Sequence, residues 1–295
     1  MTDYILLTIS AMLFAFMFLF NRGYQRSRGT GFDVALTFAA YTCTGATLIM
    51  LILSLVGALT GWQALADFGL EFSWFSMIVA IAGAAGSVGY SFFSIKALGS
   101  ANLSLYSIFA MLGGMLLPSL TGVLFFEEKL TLPKIGCYIL IVIAVSLTFE
   151  KGKQGKKALF YYFGVFVLNG MSGAISMIQQ SNREAAVNSV SFMVMKSAAC
   201  VVICVALFAM IYKKFPSLRL NECGNVSAYA LCNGIGNLLL LIALLNVDAT
   251  VQFPIITGGT MFFSTVVSMI IGEKPGVKTI IASVIAAAST VLMMF

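Results

Sequence analysis

Apolar runs of bilayer-spanning length follow one another along almost the whole chain, and the stretches between them are too short to form a separate domain. A spanning helix needs about 20 mostly apolar residues. Ten segments qualify, the first and last being short: 4–20, 34–57, 74–95, 103–126, 132–149, 158–178, 187–212, 226–247, 249–271 and 277–295. With 60% hydrophobic and 9% charged residues, the chain departs from a soluble domain, which is about 45–50% apolar and about 25% charged. No single core could hide that much apolar surface, so lipid must be the solvent for much of it. The predicted fold class is an all-α integral membrane protein of ten transmembrane helices.

Several function classes lose ground at once. Histidine is absent, which counts against many hydrolases and metal enzymes. The six cysteines form no CxxC pair, and they read as small packing residues rather than metal or redox groups. The acids lie in or beside loops, and Glu127–Glu128, the one adjacent carboxylate pair, has no nucleophile or base beside it. The expectation is therefore no catalytic residue, no metal, no cofactor and no enzyme. The first apolar run is followed, not preceded, by its basic residues, so it is expected to be a retained span rather than a signal peptide.

The chain divides near its middle at "EKGKQGKKA", Glu150 to Ala158. A shift of 145 residues lays Glu128–Lys129 on Glu273–Lys274 and Gly113–Gly114 on Gly258–Gly259, and a shift of 155 lays Tyr41 on Lys196. The reading is a first five-helix repeat over 1–150, a linker over 151–157 and a second repeat over 158–295. Five is odd, so the second repeat must run through the membrane upside down, an arrangement typical of secondary transporters.

Loop charge orients the chain. The side carrying the N-terminus receives Lys129, Lys134 and Arg183, whereas the other receives the remaining loop cations, from Arg22, Arg26 and Arg28 to Lys274 and Lys278. Lys and Arg mark the cytoplasmic side, which puts both termini outside a multi-pass protein of the cytoplasmic membrane. The net charge of +6 then reflects topology and contact with anionic lipids, not a nucleic-acid surface.

Two stretches, "ALGSANLSLYSIFAMLGGMLLPSLTGVLFFEEKLTLPKIG" and "ALLNVDATVQFPIITGGTMFFSTVVSMIIGEKPGVK", carry a resemblance. With ten spans in two inverted halves, the chain resembles the drug/metabolite transporter (DMT) superfamily, in its EamA-like 10-transmembrane branch. The resemblance covers the whole chain. It departs from the common pattern where Gly114 and Gly259 stand in place of a proline before each motif glutamate. The resemblance implies a central cavity with spans 5 and 10 peripheral, and transport by alternating access in the direction of efflux.

Lys196 is the sharpest candidate. It lies about 13 Å into a hydrocarbon core roughly 30 Å thick, where an ammonium costs on the order of 3 kcal/mol by insertion scales. It should therefore face a cavity, although a lysine stem could also snorkel to the interface. A cavity lysine suggests a carboxylate or phosphate on the substrate. Tyr41 is its counterpart in the first half. Tyr90, Asn169, Asn233 and Asn237 add polar groups at depth in spans 3, 6 and 8, and Tyr106 and Gln252 do so in spans 4 and 9. These read either as substrate-lining residues or as interhelical hydrogen-bonding groups.

Gly113, Gly114, Pro118, Pro254, Gly258 and Gly259 are candidate hinges, because proline loosens a helix near a glycine pair. Glu128 and Glu273 read as turn residues: Thr131 suits an N-cap, Pro133 suits a first turn, and nearby carboxylates favour the positive end of the following helix. No carboxylate occupies span 1, which argues against the proton-for-cation exchange of small multidrug exporters. Proton coupling would fall to Glu184 or Asp248, and exchange against a counter-substrate is the other form of coupling. The leading function is secondary transport of a small polar or amphipathic metabolite, such as an amino acid or another anion-bearing compound, by a monomer or homodimer. The alternative is a flippase for a lipid-linked carrier.

Overall fold

The computed structural model describes residues 2–60, 69–99, 103–129, 131–148, 156–182, 184–272 and 275–292. These form ten α-helices and no strand. They are α1 (Thr2–Arg28), α2 (Phe32–Thr60), α3 (Trp74–Leu98), α4 (Leu103–Phe125), α5 (Leu132–Thr148), α6 (Lys156–Ser181), α7 (Ser189–Tyr212), α8 (Cys223–Ala243), α9 (Ala249–Ile270) and α10 (Val277–Leu292). Eight of them, α1–α4 and α6–α9, are long and apolar enough to cross a membrane. The chain is thus a helical protein of multi-pass membrane type, as its composition predicts. Residues 151–155 of the expected linker, and Glu273, lie outside the described residues.

The apolar segments locate the helices well, with two departures. α1 continues past the expected boundary, through Asn21, Arg22 and Gln25, to Arg28. Its last turns are held by packing: Tyr24 is buried against Phe38 with ring centroids 4.8 Å apart. α8 stops at Ala243 instead of continuing to Val247, and a short 3-10 turn over Leu220–Glu222 precedes it.

Helix neighbours are set by close crossings. α4 lies against α6 and α9, α1 against α8 and α9, α3 against α6 and α7, and α2 against α7 and α8, while α5 and α10 pair at the periphery. In lipid no hydrophobic gain drives helices together, so small residues that let backbones touch become decisive. Such a site joins α4 to α6: a Cβ on Gly113 would overlap the backbone carbonyl of Phe166, and one on Gly170 would meet the carbonyl of Gly113.

Both bundle ends are tied by polar contacts. At the end carrying the N-terminus, Asn188 N–H donates to Glu71 Oε2 at 2.9 Å and Ser73 Oγ donates to Ala185 O at 2.6 Å. At the opposite end, Arg28 Nη1 donates to Glu222 Oε2 and to Ser217 O at 2.8 and 2.7 Å. Glu222 is fully buried, which its loop-like sequence setting conceals.

The turn after α4 departs from expectation. Thr131 and Pro133 stand where expected, with Ile135 N–H donating to Thr131 O at 3.1 Å. The carboxylate, however, serves a different helix. Glu127 adopts a left-handed φ of 54°, which reverses the chain. Glu128 then accepts from the N–H groups of Ala249 and Thr250, at 3.2 and 2.9 Å, at the start of α9 and not of α5. Asp248, the residue at the α9 N-cap, makes no side-chain cap bond, so the cap is supplied from the other half of the chain. Removing a capping acceptor costs about 1–2 kcal/mol. Glu128→Ala is expected to lose that much stability in thermal unfolding of the purified protein, and Glu128→Gln less. An alanine variant as stable as the wild type would refute the capping role.

Candidate functional site

A cavity of about 160 Å³ lies inside the bundle, lined by α1–α4 and α6–α9. No described residue of α5 or α10 reaches it. Its lining comes close to the end that carries the N-terminus: Phe192 and Met193 stand near the start of α7, Phe253 near the start of α9, and Leu240 and Leu241 near the end of α8. Towards the opposite end the cavity is floored by aromatic packing. Phe18 meets Tyr106 edge-on at 5.1 Å, and Phe38 meets Tyr229 at 4.6 Å. Below that floor lie the Arg28–Glu222 pair and the bond from Tyr41 Oη to Pro216 O at 3.2 Å.

Lys196 is in the cavity wall and does not snorkel. Its Nζ donates to Ser172 Oγ at 2.9 Å, from α7 to α6. Its stem passes Gly83 of α3, where a Cβ would stand 3.2 Å from Lys196 Cε. Glycine at that position is what leaves the stem its path. No carboxylate among the described residues forms an ion pair with Lys196. Among the described residues the lining holds no Asp or Glu: its other polar groups are Ser, Thr, Asn, Tyr and Cys.

Tyr90, Asn169, Asn233 and Asn237 join Lys196 at the cavity, as does Gly114. Asn237 Nδ2 donates to both the backbone and side-chain oxygens of Asn233 at 2.8 Å, one turn apart on the same face. Asn169 Nδ2 donates to Ala110 O at 2.6 Å, and a Cβ on Gly114 would press that same Nδ2. The other expected lining residues lie elsewhere. Tyr41 turns to the α7–α8 connection. Tyr106 is wholly buried behind Tyr90, bonded to Tyr90 Oη at 2.8 Å and Ser94 Oγ at 2.6 Å. Gln252 is buried, with its Nε2 donating to Leu240 O at 2.7 Å, and it joins α9 to α8.

The candidate hinges have packing partners. Gly113 meets the backbone of Phe166, Pro118 packs against Gly173, and Gly259 faces Ala11 of α1. Gly258 and Pro254 are buried in α9.

Some cavity residues escaped the sequence reading although a signal was present. Tyr229 stands four residues before Asn233 and so shares one face of α8 with the expected pair Asn233 and Asn237. Lys196 and Cys200 do the same on α7, and Cys200 and Cys43 both line the cavity as free thiols. Phe14 and Phe253, by contrast, look like any other lipid-soluble residue in their spans.

No family model matches the chain, and no curated protein matches its sequence. A solved structure described only as "Crystal structure of protein" shares the fold, with a TM-score of 0.70 at 18% identity over 99% of this chain and 96% of that one. At that identity the likeness is one of architecture.

The two glycines of α4 differ in what surrounds them. A methyl at Gly113 strikes rigid backbone, whereas one at Gly114 strikes a side-chain amide that can rotate. Gly113→Ala is expected to lower the thermal midpoint of the purified protein by more than Gly114→Ala. The order would be reversed if Asn169 were held more rigidly than the α6 backbone.

Proposed function

We propose that this chain is a secondary-active transporter of the drug/metabolite transporter superfamily, EamA-like in type, which carries a small polar or amphipathic metabolite across the cytoplasmic membrane by alternating access. The observation that carries the proposal is the cavity itself: a chamber of mixed apolar and polar lining with one lysine, walled by eight helices and reaching towards one end of the bundle, with aromatic packing towards the other. Such a chamber suits a solute that is bound from one face and released to the other.

Helix packing supports the reading of ten transmembrane helices as two inverted five-helix repeats. Renumbering each helix by five turns α1·α8 into α6·α3, α1·α9 into α6·α4, and α2·α8 into α7·α3, and all of these are packing pairs. The pairs α2·α7, α4·α9 and α5·α10 map onto themselves. Such an exchange is what a twofold axis between the halves would produce, and it supports the reading although α9·α10 is a closer pair than its counterpart α4·α5.

On the orientation that loop charge favours, with the termini outside, the Phe192, Phe253 and Leu240 end of the cavity is the outer one and the Arg28–Glu222 layer lies on the cytoplasmic side. Export is the proposed direction. The size of the chamber favours a small solute over a lipid-linked carrier: an engineered cavity of about 150 Å³ holds benzene. Lys196 and Ser172 are the proposed docking point for an anionic group on the metabolite.

The test is flux into proteoliposomes from a panel of organic acids and amino acids, wild type against Lys196→Ala. Saturable flux of at least one anionic solute is expected, reduced roughly tenfold or more by the substitution, the loss expected when a charge-assisted contact is removed. Absence of flux across the panel, or equal rates in the two proteins, would overturn the proposal.

A further inference from the structure

Beyond the general transport reading, the charge inventory of the cavity narrows what can occupy it. We infer that the site selects a small organic monoanion, a carboxylate with a short apolar tail and no ammonium group, and that it discriminates against the zwitterionic amino acid of the same skeleton. The inference rests on the same cavity as the proposed transport function, but it concerns binding and stands whether or not the bound molecule is moved.

The argument is one of enclosed charge. Among the described residues, Lys196 is the only lining residue of a type that carries charge at neutral pH. The titratable groups that share the cavity with it are Cys43 of α2, Tyr90 of α3, Cys200 of α7 and Tyr229 of α8, all neutral types at pH 7. The described carboxylates sit at the bundle ends, and three of them are already engaged: Glu71 with Asn188, Glu128 with the start of α9, and Glu222 with Arg28. An isolated charge in a low-dielectric interior is strongly disfavoured unless it is paired. A monoanion leaves the occupied chamber neutral. A zwitterion leaves one uncompensated positive charge, and an amine leaves two. A dianion reverses the sign without removing the imbalance.

The hydrogen-bonding groups fit the same occupant. Ser172 Oγ accepts from Lys196, which frees its own proton to donate. Lys196 has three donors and spends one on Ser172, so two remain for a carboxylate. An ammonium would need acceptors converging beside it. The asparagine acceptors are instead partly consumed, Asn233 Oδ1 by Asn237. From the lysine towards the N-terminal end of the bundle the wall turns apolar, with Phe192, Phe253, Leu240 and Leu241. A carboxylate at Lys196 with a short hydrocarbon chain lying against those residues meets both ends of the chamber.

Three compounds built on one skeleton isolate the charge: 4-methylpentanoate, leucine, and 3-methylbutylamine, which are respectively anion, zwitterion and cation. Binding to the purified full-length protein is measured by calorimetry, and flux is measured in parallel in proteoliposomes. The carboxylate is expected to bind roughly tenfold or more tightly than leucine, with the amine weaker still. In Lys196→Gln the preference for the carboxylate should disappear. Ser172→Ala, which keeps the lysine and its fold, should weaken the carboxylate several-fold while leaving leucine little changed. Leucine or the amine binding as tightly as the carboxylate, no binding by any of the three, or an unchanged preference in both variants would overturn the inference. If the carboxylate binds in the expected order but is not moved, transport fails as the function while the inference holds.

Discussion

A lysine ammonium held two turns inside a bundle of apolar helices must be surrounded by dipoles or matched by a counter-ion, and much of this structure answers that requirement. Among the described residues nothing at the site is acidic. Lys196 is instead met by Ser172, and hydroxyl and amide groups from α2, α3, α6, α7 and α8 line the same cavity. Gly83 leaves the stem a path along α3. Where a carboxylate would have satisfied the lysine permanently, the chain places only groups that can share it. A fixed ion pair would stabilise an empty chamber, whereas an unmatched ammonium makes occupancy by an anion favourable. On the proposed function, the absence of an acidic partner among the described residues is what would turn a costly residue into a binding group.

The chamber exists because its walls approach closely elsewhere. α4 and α6 meet backbone to backbone at Gly113 and Gly170, and Pro118 packs on Gly173 one turn further on, which draws the two helices together at mid-depth. Asn169 occupies the space that Gly114 leaves beside that crossing. Close contact and polar lining are therefore consequences of the same small residues. The same economy explains the closed floor. Tyr106 cannot line the chamber because its hydroxyl is held by Ser94 and Tyr90, and that bond fixes Tyr90 with its ring at the cavity edge.

Length and hydropathy make the helices legible in the sequence, because a span needs a fixed run of apolar residues and a loop needs a break. The cavity residues are legible only where a polar group interrupts an otherwise apolar face, as with Lys196, Asn169, Asn233 and Asn237. Tyr41, Tyr106 and Gln252 are equally polar, yet they meet neighbouring helices and loops, and sequence cannot tell a polar group facing a cavity from one facing a helix. Phe192 and Phe253 fail in the opposite sense: an aromatic ring against a chamber and one against lipid look alike in a sequence. Glu222 reads as a loop acid, and only the arrival of Arg28 from the far end of α1 reveals why it is buried.

Glu128 shows how a local motif acquires a long-range role. Read in isolation, the acidic turn after α4 belongs to the helix that follows it. The left-handed residue Glu127 instead sends the next carboxylate across to α9, whose own N-cap side chain makes no cap bond. Lys134 adds a second tie, donating to Thr250 Oγ1 and to Lys129 O, with Asp248 3.9 Å away. The end of α4 and the start of α9 are therefore joined at one end of the bundle. α9 carries Phe253, Ile256 and Thr257 into the cavity wall, and α4 carries Met111 and Gly114. A rearrangement that opens the chamber would have to move these two helices as one body, or break the carboxylate-to-amide cap that Glu128 supplies to α9. The first course is the less costly, and it assigns any opening to the crossings that lack such a tie, chief among them the aromatic floor between Phe38 and Tyr229.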